Sequence, residues 1–387
     1  MEEWRYSRID SLDPDRYQRL DQPSTKPAEH PELARITAAV GATSAYVETC
    51  DGFLVGSPDG CDGVVVRPAT DLDQAPADLI GPPDAFVLAN RAYAPDPVVV
   101  TIRAGTTPSA PVVVAHWVAA DGAAVFPRIR IEAGDDSEVT VIEVVAGPGR
   151  SLVVPVTEIE VGRAARLSYL HVQTLGDHAW QIGRQASRVD ADASLTSAAV
   201  ALGGDYARLR TDSALVGPGA SSRLLALYFG TGTQMHDFRT VQDHRAAKTS
   251  SDLLYKGAVA NTARSVYSGL IRVEKGARGT NAFQTNRNLV LHDGAHADSV
   301  PNLEIEDNDV RCSHASAVGP VSEDERFYLE SRGVPPEVTD RLITLGFLGE
   351  VIEQLPLPSL GPVLSDALAA KLGVAERLQG ERLENGR

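Results

Sequence analysis

The chain has 387 residues, and its 43% hydrophobic content is enough to build a sizeable core. A formal net charge of −16 opposes binding to nucleic acid and to anionic membrane surfaces. The sequence lacks an apolar run of about 20 residues that could span a bilayer, and its charged start, MEEWRYSRID, does not resemble a signal peptide, so we expect a cytosolic protein.

The first 50 residues are predicted to form a helical and irregular region. A helix is expected over PELARITAAVGA, because Pro31 stands early in this segment and Gly41 stands at its end. Residues 51–96 are rich in Gly, Pro and Asp, which predicts short strands and loops. Cys50 and Cys61 flank a loop there, and without a CxxC motif we expect both to be ordinary free thiols.

Residues 97–319 carry short runs of β-forming residues bounded by Gly, Asp or Pro. Similar turn sequences begin at Ile131, Ile159, Ser187 and Ala214, at steps of 28, 28 and 27 residues. Copies of the same form follow at positions 271, 289 and 305. Regular spacing without helices predicts strands that stack on copies of themselves, because one unit cannot bury its own apolar face.

We therefore predict a mainly β protein with a parallel β-helix (solenoid) core at 97–319, between helical N- and C-terminal regions. The alternative is a β-sandwich, whose strands also recur at regular intervals. The β-helix is favoured because the repeats keep similar turn sequences.

Residues 320–387 return to helical patterns. Ser322 and Glu325 have the spacing of a capping box, and the helix that they begin should end near Gly333. A second helix is expected from Pro335 to about Pro356. A third is expected over LGPVLSDALAAKLGVAERL, followed by a frayed tail.

Cys312 and His314 stand two residues apart near the end of the β-rich region, so in an extended strand they would project to the same face. Thiolate and neutral imidazole both ligate iron, and the pair could instead hold a persulfide. Two ligands are too few for a stable cluster, so a partner would have to complete such a site. The residues alone favour a simpler alternative, a half-buried thiol and a hydrogen-bonded imidazole that end the last coil.

The other histidines support no metal site. His292 and His296 are four residues apart, but they lie in a turn-like sequence, so we expect them to be structural or solvent-facing. His236 and His244 are eight apart, too far to assign a shared role. The motifs of phosphate-binding loops, serine hydrolases and zinc proteases are absent from the sequence.

The stretch PNLEIEDNDVRCSHASAVGPVSEDERFYLESRG resembles the C-terminal signature of the SufD branch of the SufB/SufD family, part of the SUF iron–sulfur assembly system. The family pattern reads approximately NLEI-x-x-DDV-KCSHG-x-TVG, followed by a helix with FYL-x-SRG. The matching residues are Asn302, Leu303, Glu304, Ile305, Asp309, Val310, Cys312, Ser313, His314, Val318, Gly319, Phe327, Tyr328, Leu329, Ser331, Arg332 and Gly333. The N-terminal segment EEWRYSRID also resembles family sequence.

The resemblance implies a right-handed parallel β-helix with helical ends, which agrees with the repeats. It implies a non-catalytic scaffold subunit that pairs with SufB through the β-helices and docks the SufC ATPase through its C-terminal helices. On this basis His314 is the expected metal ligand, with Cys312 nearby, at a transient iron–sulfur cluster or persulfide site facing SufB. The residues expected to dock SufC are Gly346, Phe347, Glu350 and Val351.

Two features depart from the family pattern. Ala315 stands where Gly is usual, and the chain begins at the Trp4 motif, without the helical arm of many relatives. The sequence leaves open whether a flavin binds the complex, whether the chain forms a homodimer when alone and whether Cys312 carries sulfur. Two other functions stay as alternatives: a carbohydrate-active β-helix enzyme, which would need clustered carboxylates in a groove, and a structural paralogue without a ligand.

Overall fold

The computed structural model describes residues 4–24, 31–56, 58–69, 79 and 81–385. A parallel β-solenoid of about eight turns forms its centre, and a few helices lie at both termini. The helices are α1 Pro31–Val40, α2 Ala85–Tyr93, α3 Glu323–Ser331, α4 Pro336–Ile352 and α5 Gly361–Asn385. The strands are β1 Gln18–Arg19, β2 Ala45–Cys50, β3 Phe53–Leu54, β4 Val64–Pro68, β5 Val98–Ile102, β6 Val112–Trp117, β7 Ala123–Val125, β8 Arg128–Ala133, β9 Glu138–Gly147, β10 Ser151–Val153, β11 Val156–Val161, β12 Arg166–Leu175, β13 Trp180–Val189, β14 Ser194–Ala201, β15 Tyr206–Leu215, β16 Ser221–Gly230, β17 Met235–His244, β18 Ser250–Val259, β19 Arg264–Val273, β20 Thr280–Val290, β21 His296–Ile305 and β22 Val310–Gly319.

Two sheets face each other across the solenoid interior. Sheet A runs β4-β5-β8-β11-β13-β15-β17-β19-β21, and sheet B runs β3-β2-β6-β9-β12-β14-β16-β18-β20-β22. Ile131 pairs in parallel with Ile159, and Ile159 with Ser187, so the 28-residue step of the sequence is one coil. The β-helix prediction is confirmed, and the β-sandwich is excluded because its neighbouring strands would be antiparallel.

The turns that lead from sheet A to sheet B stack as the strands do. Asp136, Ala164, Asp192 and Lys248 all occupy this turn with a positive φ of 55–58°. For residues other than glycine this conformation costs about 1–2 kcal/mol. The backbone N–H of each of these residues donates to a carbonyl of the following coil, at 2.7–3.0 Å. Stacking between coils therefore stabilises a turn that a single coil would not favour.

Helices cover the outer face of sheet B. Side chains of α1, α4 and α5 pack against the apolar rows of that face in one continuous core cluster, to which α4 contributes Leu348, Val351 and Ile352. The outer face of sheet A is covered in part by the N-terminal segment and α2, where Trp4 and Phe86 lie near Trp180. No helix in the described part of the chain is both long and apolar enough to cross a membrane.

The helix predictions hold at α1, α3 and α4. Ser322 accepts a hydrogen bond from the Glu325 backbone at the start of α3, and Gly333 follows its end with a positive φ. Helix α2 was not expected within 51–96; it forms because Asp84 caps its first turn and its buried Asn90 bonds two solenoid carbonyls. Helix α5 continues to Asn385, where a frayed tail was predicted, since this segment is rich in good helix formers.

The two ends of the solenoid differ. At the first coil, β2 pairs antiparallel with the two-residue strand β3, and β5 pairs antiparallel with β4, which ends at Pro68. At the last coil, β21 pairs only with β19 and β22 only with β20 within the described chain. The first coil is thus covered by short antiparallel strands, and the last coil is open.

Candidate functional site

Cys312 and His314 lie on β22, the last strand of the solenoid. In the parallel ladder with β20, Cys312 stands beside Ala282 and His314 beside Gln284. Ala282 and Gln284 are buried on the interior side of sheet B. Residues in register in parallel strands point to the same side, so Cys312 and His314 also project toward the interior face of the last coil. The two side chains therefore share a face, as the spacing predicts.

The Cys312 thiol is half-buried. It packs with Val310 and Leu303 against a small apolar cluster that includes Ala282. Burial raises the pKa of this thiol above its ordinary value. The thiol is therefore protonated at neutral pH in the free chain, and a protonated thiol is a weak nucleophile and a weak metal ligand.

The His314 imidazole is exposed to solvent. No side-chain hydrogen bond or ion pair joins it to any residue that the structure describes. The residues below it in the same row are covered, whereas no further coil covers His314 itself. A docking subunit could therefore reach this imidazole directly.

The chain by itself offers an incomplete donor set. Within the described ranges, no group of three or more His, Cys, Asp or Glu side chains could hold a metal ion. Cys312 and His314 supply two donors, whereas iron–sulfur clusters are commonly held by four. Any cluster held here would need ligands from outside this chain.

Other histidines and cysteines of the described chain make separate contacts or stand alone. His292 accepts a hydrogen bond from the Asn261 backbone at 2.8 Å, and exposed His296 lies 3.2 Å from Asp298. Cys50 is buried, and its burial raises the pKa of the thiol to about 11. Cys61 is exposed.

The four residues expected to dock SufC have different surroundings on α4. Val351 is fully buried in the core, whereas Gly346 and Glu350 are exposed and Phe347 is half-buried. Gly346, Phe347 and Glu350 line a groove between α3, α4 and the outer face of sheet B. A Cβ placed on Gly346 would meet no other atom within 4 Å, so the groove is open above this glycine. Val351 therefore anchors the helix, whereas the other three residues line the groove, with Phe347 partly packed against the core.

Lys256, which the sequence analysis did not single out, fixes this helix to sheet B. Its side chain is only 3% exposed; its ammonium donates to the Phe347 carbonyl at 3.1 Å and pairs with Glu350. The Phe347 ring centroid lies 4.3 Å from the same ammonium, a cation–π contact. Lys256 pairs with Leu227, which follows Val144, Val172 and Val200 in the same outer row, so aligning the coils would have shown the point where this apolar row becomes charged.

Comparison with known proteins identifies the relatives of this chain. Residues 116–347 match the family model described as SUF system FeS cluster assembly, SufBD core domain. The chain is 34% identical over 285 residues to an iron–sulfur cluster assembly SufBD family protein of Mycobacterium tuberculosis, covering 72% of this chain and 71% of that protein. It is 28% identical over 289 residues to the iron–sulfur cluster assembly protein SufD of Escherichia coli, covering 72% and 68%. SufD of Bacillus subtilis is 28% identical over 253 residues, covering 64% and 58%.

Proposed function

The chain belongs to the SufBD family of the SUF system for iron–sulfur cluster assembly, and from this premise we propose that it is a non-catalytic scaffold subunit acting in the cytosol. In this proposal the open end of the solenoid pairs with a SufB subunit, and His314 contributes to a site where a cluster is built as cargo. A SufC ATPase docks on the C-terminal helices and supplies the ATP hydrolysis. The observation that carries the proposal is the exposed His314 imidazole on the interior face of an uncovered last coil.

The exposed surface of the last coil supports the pairing. β21 and β22 each leave one edge without a strand partner among the described residues. Long unpaired edges invite pairing with another chain, and native proteins usually cover them. Ile305 and Val318 face this end with 43% and 44% of their surface exposed, and a second solenoid end would bury them. The same surface would join two copies of the chain when SufB is absent.

The two edge strands differ in how well they could accept a further strand. Pro301 lies in the middle of β21 and has no backbone N–H to donate. β22 has ten residues without proline, and after Arg311 the residues of its outward row, Ser313, Ala315 and Ala317, are exposed and small. We therefore assign the strand-to-strand contact to β22, which also brings the partner close to His314.

The chemistry assigned to the pair follows from their surroundings. His314 can offer a neutral nitrogen to iron, which imidazole ligates well. Cys312 needs a nearby cation to become a thiolate, because burial favours its neutral form, and metal ions deprotonate thiols in this way. His314 is therefore the first ligand that this chain offers, and Cys312 follows only when iron or a partner charge is present.

Replacing His314 with Ala tests the cluster site. We expect the complex with SufB and SufC to co-purify unchanged, because His314 is a single exposed side chain that is not needed to hold the last coil together, and we expect activation of an iron–sulfur enzyme in cells to fall at least tenfold. His296→Ala is the matched control, since it removes an exposed imidazole from the neighbouring strand β21. Full activation by the His314→Ala variant would reject the role of this imidazole.

SufC docking is tested separately with Phe347→Glu. The new carboxylate would stand beside Glu350 in the groove, so we expect loss of co-purification with the ATPase while pairing with SufB persists. Leu88→Glu places the same charge on an exposed position of α2, away from the C-terminal helices, and should leave recovery unchanged. Equal recovery of SufC with the Phe347→Glu variant would exclude this groove.

A further inference from the structure

Two polar side chains without partners lie next to each other at the open end. His314 and Gln284 occupy neighbouring positions of one interior row of sheet B, which continues downward to Leu253 and Leu224. Gln284 is 1% exposed, yet neither its amide oxygen nor its amide nitrogen has a hydrogen-bond partner among the described residues. A buried amide left unpaired costs about 1–3 kcal/mol, so this glutamine requires an explanation.

The covered neighbours of Gln284 make no hydrogen bond to its amide. Below it lies the apolar side chain of Leu253, and across the interior lies Gly269, which has no side chain. The Gln284 amide fills the space at this glycine, because a Cβ built there would be 2.6 Å from Nε2. The Tyr267 hydroxyl lies at the same glycine, but it bonds Thr240 at 3.0 Å and not the amide. Within the interior row itself, the polar neighbour of Gln284 is the imidazole above.

Neighbouring strands in a sheet lie roughly 4.8 Å apart, and this is the spacing between the backbones of Gln284 and His314. Both side chains are long enough to form a hydrogen bond across that spacing. A metal-ligating histidine almost always donates its other ring N–H to an acceptor, which fixes the tautomer and the orientation of the ring. The Gln284 carbonyl oxygen is such an acceptor, and it is held in place by burial. The two groups are not bonded in this conformation, and rotation of the exposed imidazole about its side-chain torsions would join them.

We propose that Gln284 is a positioning residue for His314: its Oε1 accepts the N–H of one ring nitrogen and so turns the other nitrogen out of the open end. The buried glutamine selects one tautomer of the neutral ring in the free chain. Its use in cluster assembly rests on the function proposed above, but the hydrogen bond itself does not.

The bond is tested by NMR on the full chain labelled with ¹⁵N-histidine. At a pH where the ring is neutral, the two His314 nitrogens should show the widely separated shifts of one tautomer, assigned by their loss in His314→Gln. Gln284→Leu, which continues the apolar row below, should bring the two shifts together as the tautomers mix. Gln284→Glu keeps an acceptor oxygen and should preserve the separation. Gln185→Leu is the matched control, because it removes another buried interior glutamine, one that bonds Ser197 in a distant coil.

Mixed tautomers in the wild-type chain, or the same His314 shifts in wild type and Gln284→Leu, would overturn the proposal. The wild-type measurement decides the question even if the leucine variant fails to fold. In cells, Gln284→Leu should lower cluster assembly about tenfold without loss of SufB pairing, and Gln284→Glu should restore it. If the His314 shifts change in Gln284→Leu as expected but the His314→Ala variant assembles clusters normally, the hydrogen bond is supported and the proposed function of His314 is rejected.

Discussion

Imidazoles lie on the interior face of sheet B both near its start and at its end, and their surroundings are opposite. Near the start, His116 and His171 flank Glu143, which is 1% exposed. His116 Nε2 lies 3.5 Å from one carboxylate oxygen, and His171 Nδ1 lies 3.7 Å from the other. The same carboxylate also accepts hydrogen bonds from Thr157, at 2.8 Å, and from Tyr169. At the end, His314 has a coil on one side only and no such partners.

The comparison shows what decides whether an interior imidazole is structural or can bind an outside ligand. It is whether another coil stacks over it, not the residue type. Burial acts to raise the pKa of Glu143, but hydrogen bonds and charge from His116 and His171 hold it well below its ordinary range. The carboxylate is therefore ionised inside the solenoid, and the two imidazoles face it instead of an outside ligand. His314 lacks only the next coil, so its chemistry is left for a partner.

The largest expected difference between the two regions is in stability. Glu143→Leu would leave a buried phenol and a buried hydroxyl without their acceptor and would remove the carboxylate that faces two buried imidazoles, so we expect the free energy of unfolding to fall by about 3–5 kcal/mol. His314→Leu should lower it by about 1 kcal/mol or less, because the exposed ring loses at most the one hydrogen bond that we propose with Gln284. Urea unfolding of both variants measures the difference, and similar losses would mean that coverage does not separate the two sites.

Acid should destabilise the middle coils of the solenoid, where two buried histidines are neutral. Burial lowers the pKa of His236 to about 3 and that of His244 to about 4. Both folded values lie below the unfolded value near 6.5, so their contribution is complete above that pH and is lost as pH falls toward the folded values. We expect a loss of roughly 2–3 kcal/mol between pH 7 and 5.5, measured by urea unfolding.

One variant sharpens this pH prediction. His244→Gln should make the profile flatter, because one of the two groups no longer takes up a proton on unfolding. A profile as steep as that of the wild-type chain would contradict the role of this buried histidine.

The smallest expected difference in stability is between two serine pairs that form hydrogen bonds across the solenoid interior. Ser213 bonds Ser222 at 2.9 Å in a covered coil, and Ser316 bonds Ser299 at 2.7 Å at the open end. Ser213→Ala leaves a buried hydroxyl unpaired and should cost about 1–2 kcal/mol, whereas Ser316→Ala should cost less than about 0.5 kcal/mol because water replaces the bond. Thermal unfolding of the two variants distinguishes them, and equal shifts would contradict the comparison.

The sequence predicted the coil and the pair on its last strand because both are periodic. The 28-residue step between Ile131 and Ile159 is the register of neighbouring strands, and the spacing of Cys312 and His314 places them on one face. The cap at Ser322 is a local pattern, and it is also present in the structure.

Other features depend on which residues stack between coils, and a single sequence hides this. Gln284 lies 30 residues before His314 and neighbours it only in the ladder. Glu143, His116 and His171 lie on three different strands, β9, β6 and β12, and come together only when the coils stack. Val351 was grouped with residues of an exposed surface, yet it faces the core, because the helix packs against sheet B through that side. Helix α2 was hidden by the Gly- and Pro-rich sequence around it.

The covered first coil limits how large an assembly this solenoid can build. Stacking one molecule head-to-tail on another would require an open strand edge at both ends, and β3 and β4 block one of them. In the pairing proposed above, two molecules join through their last coils, and no open coil is left for a third among the residues that the structure describes. This mode of contact would close into pairs, whereas growth into a fibre would need an open strand edge at both ends of the solenoid.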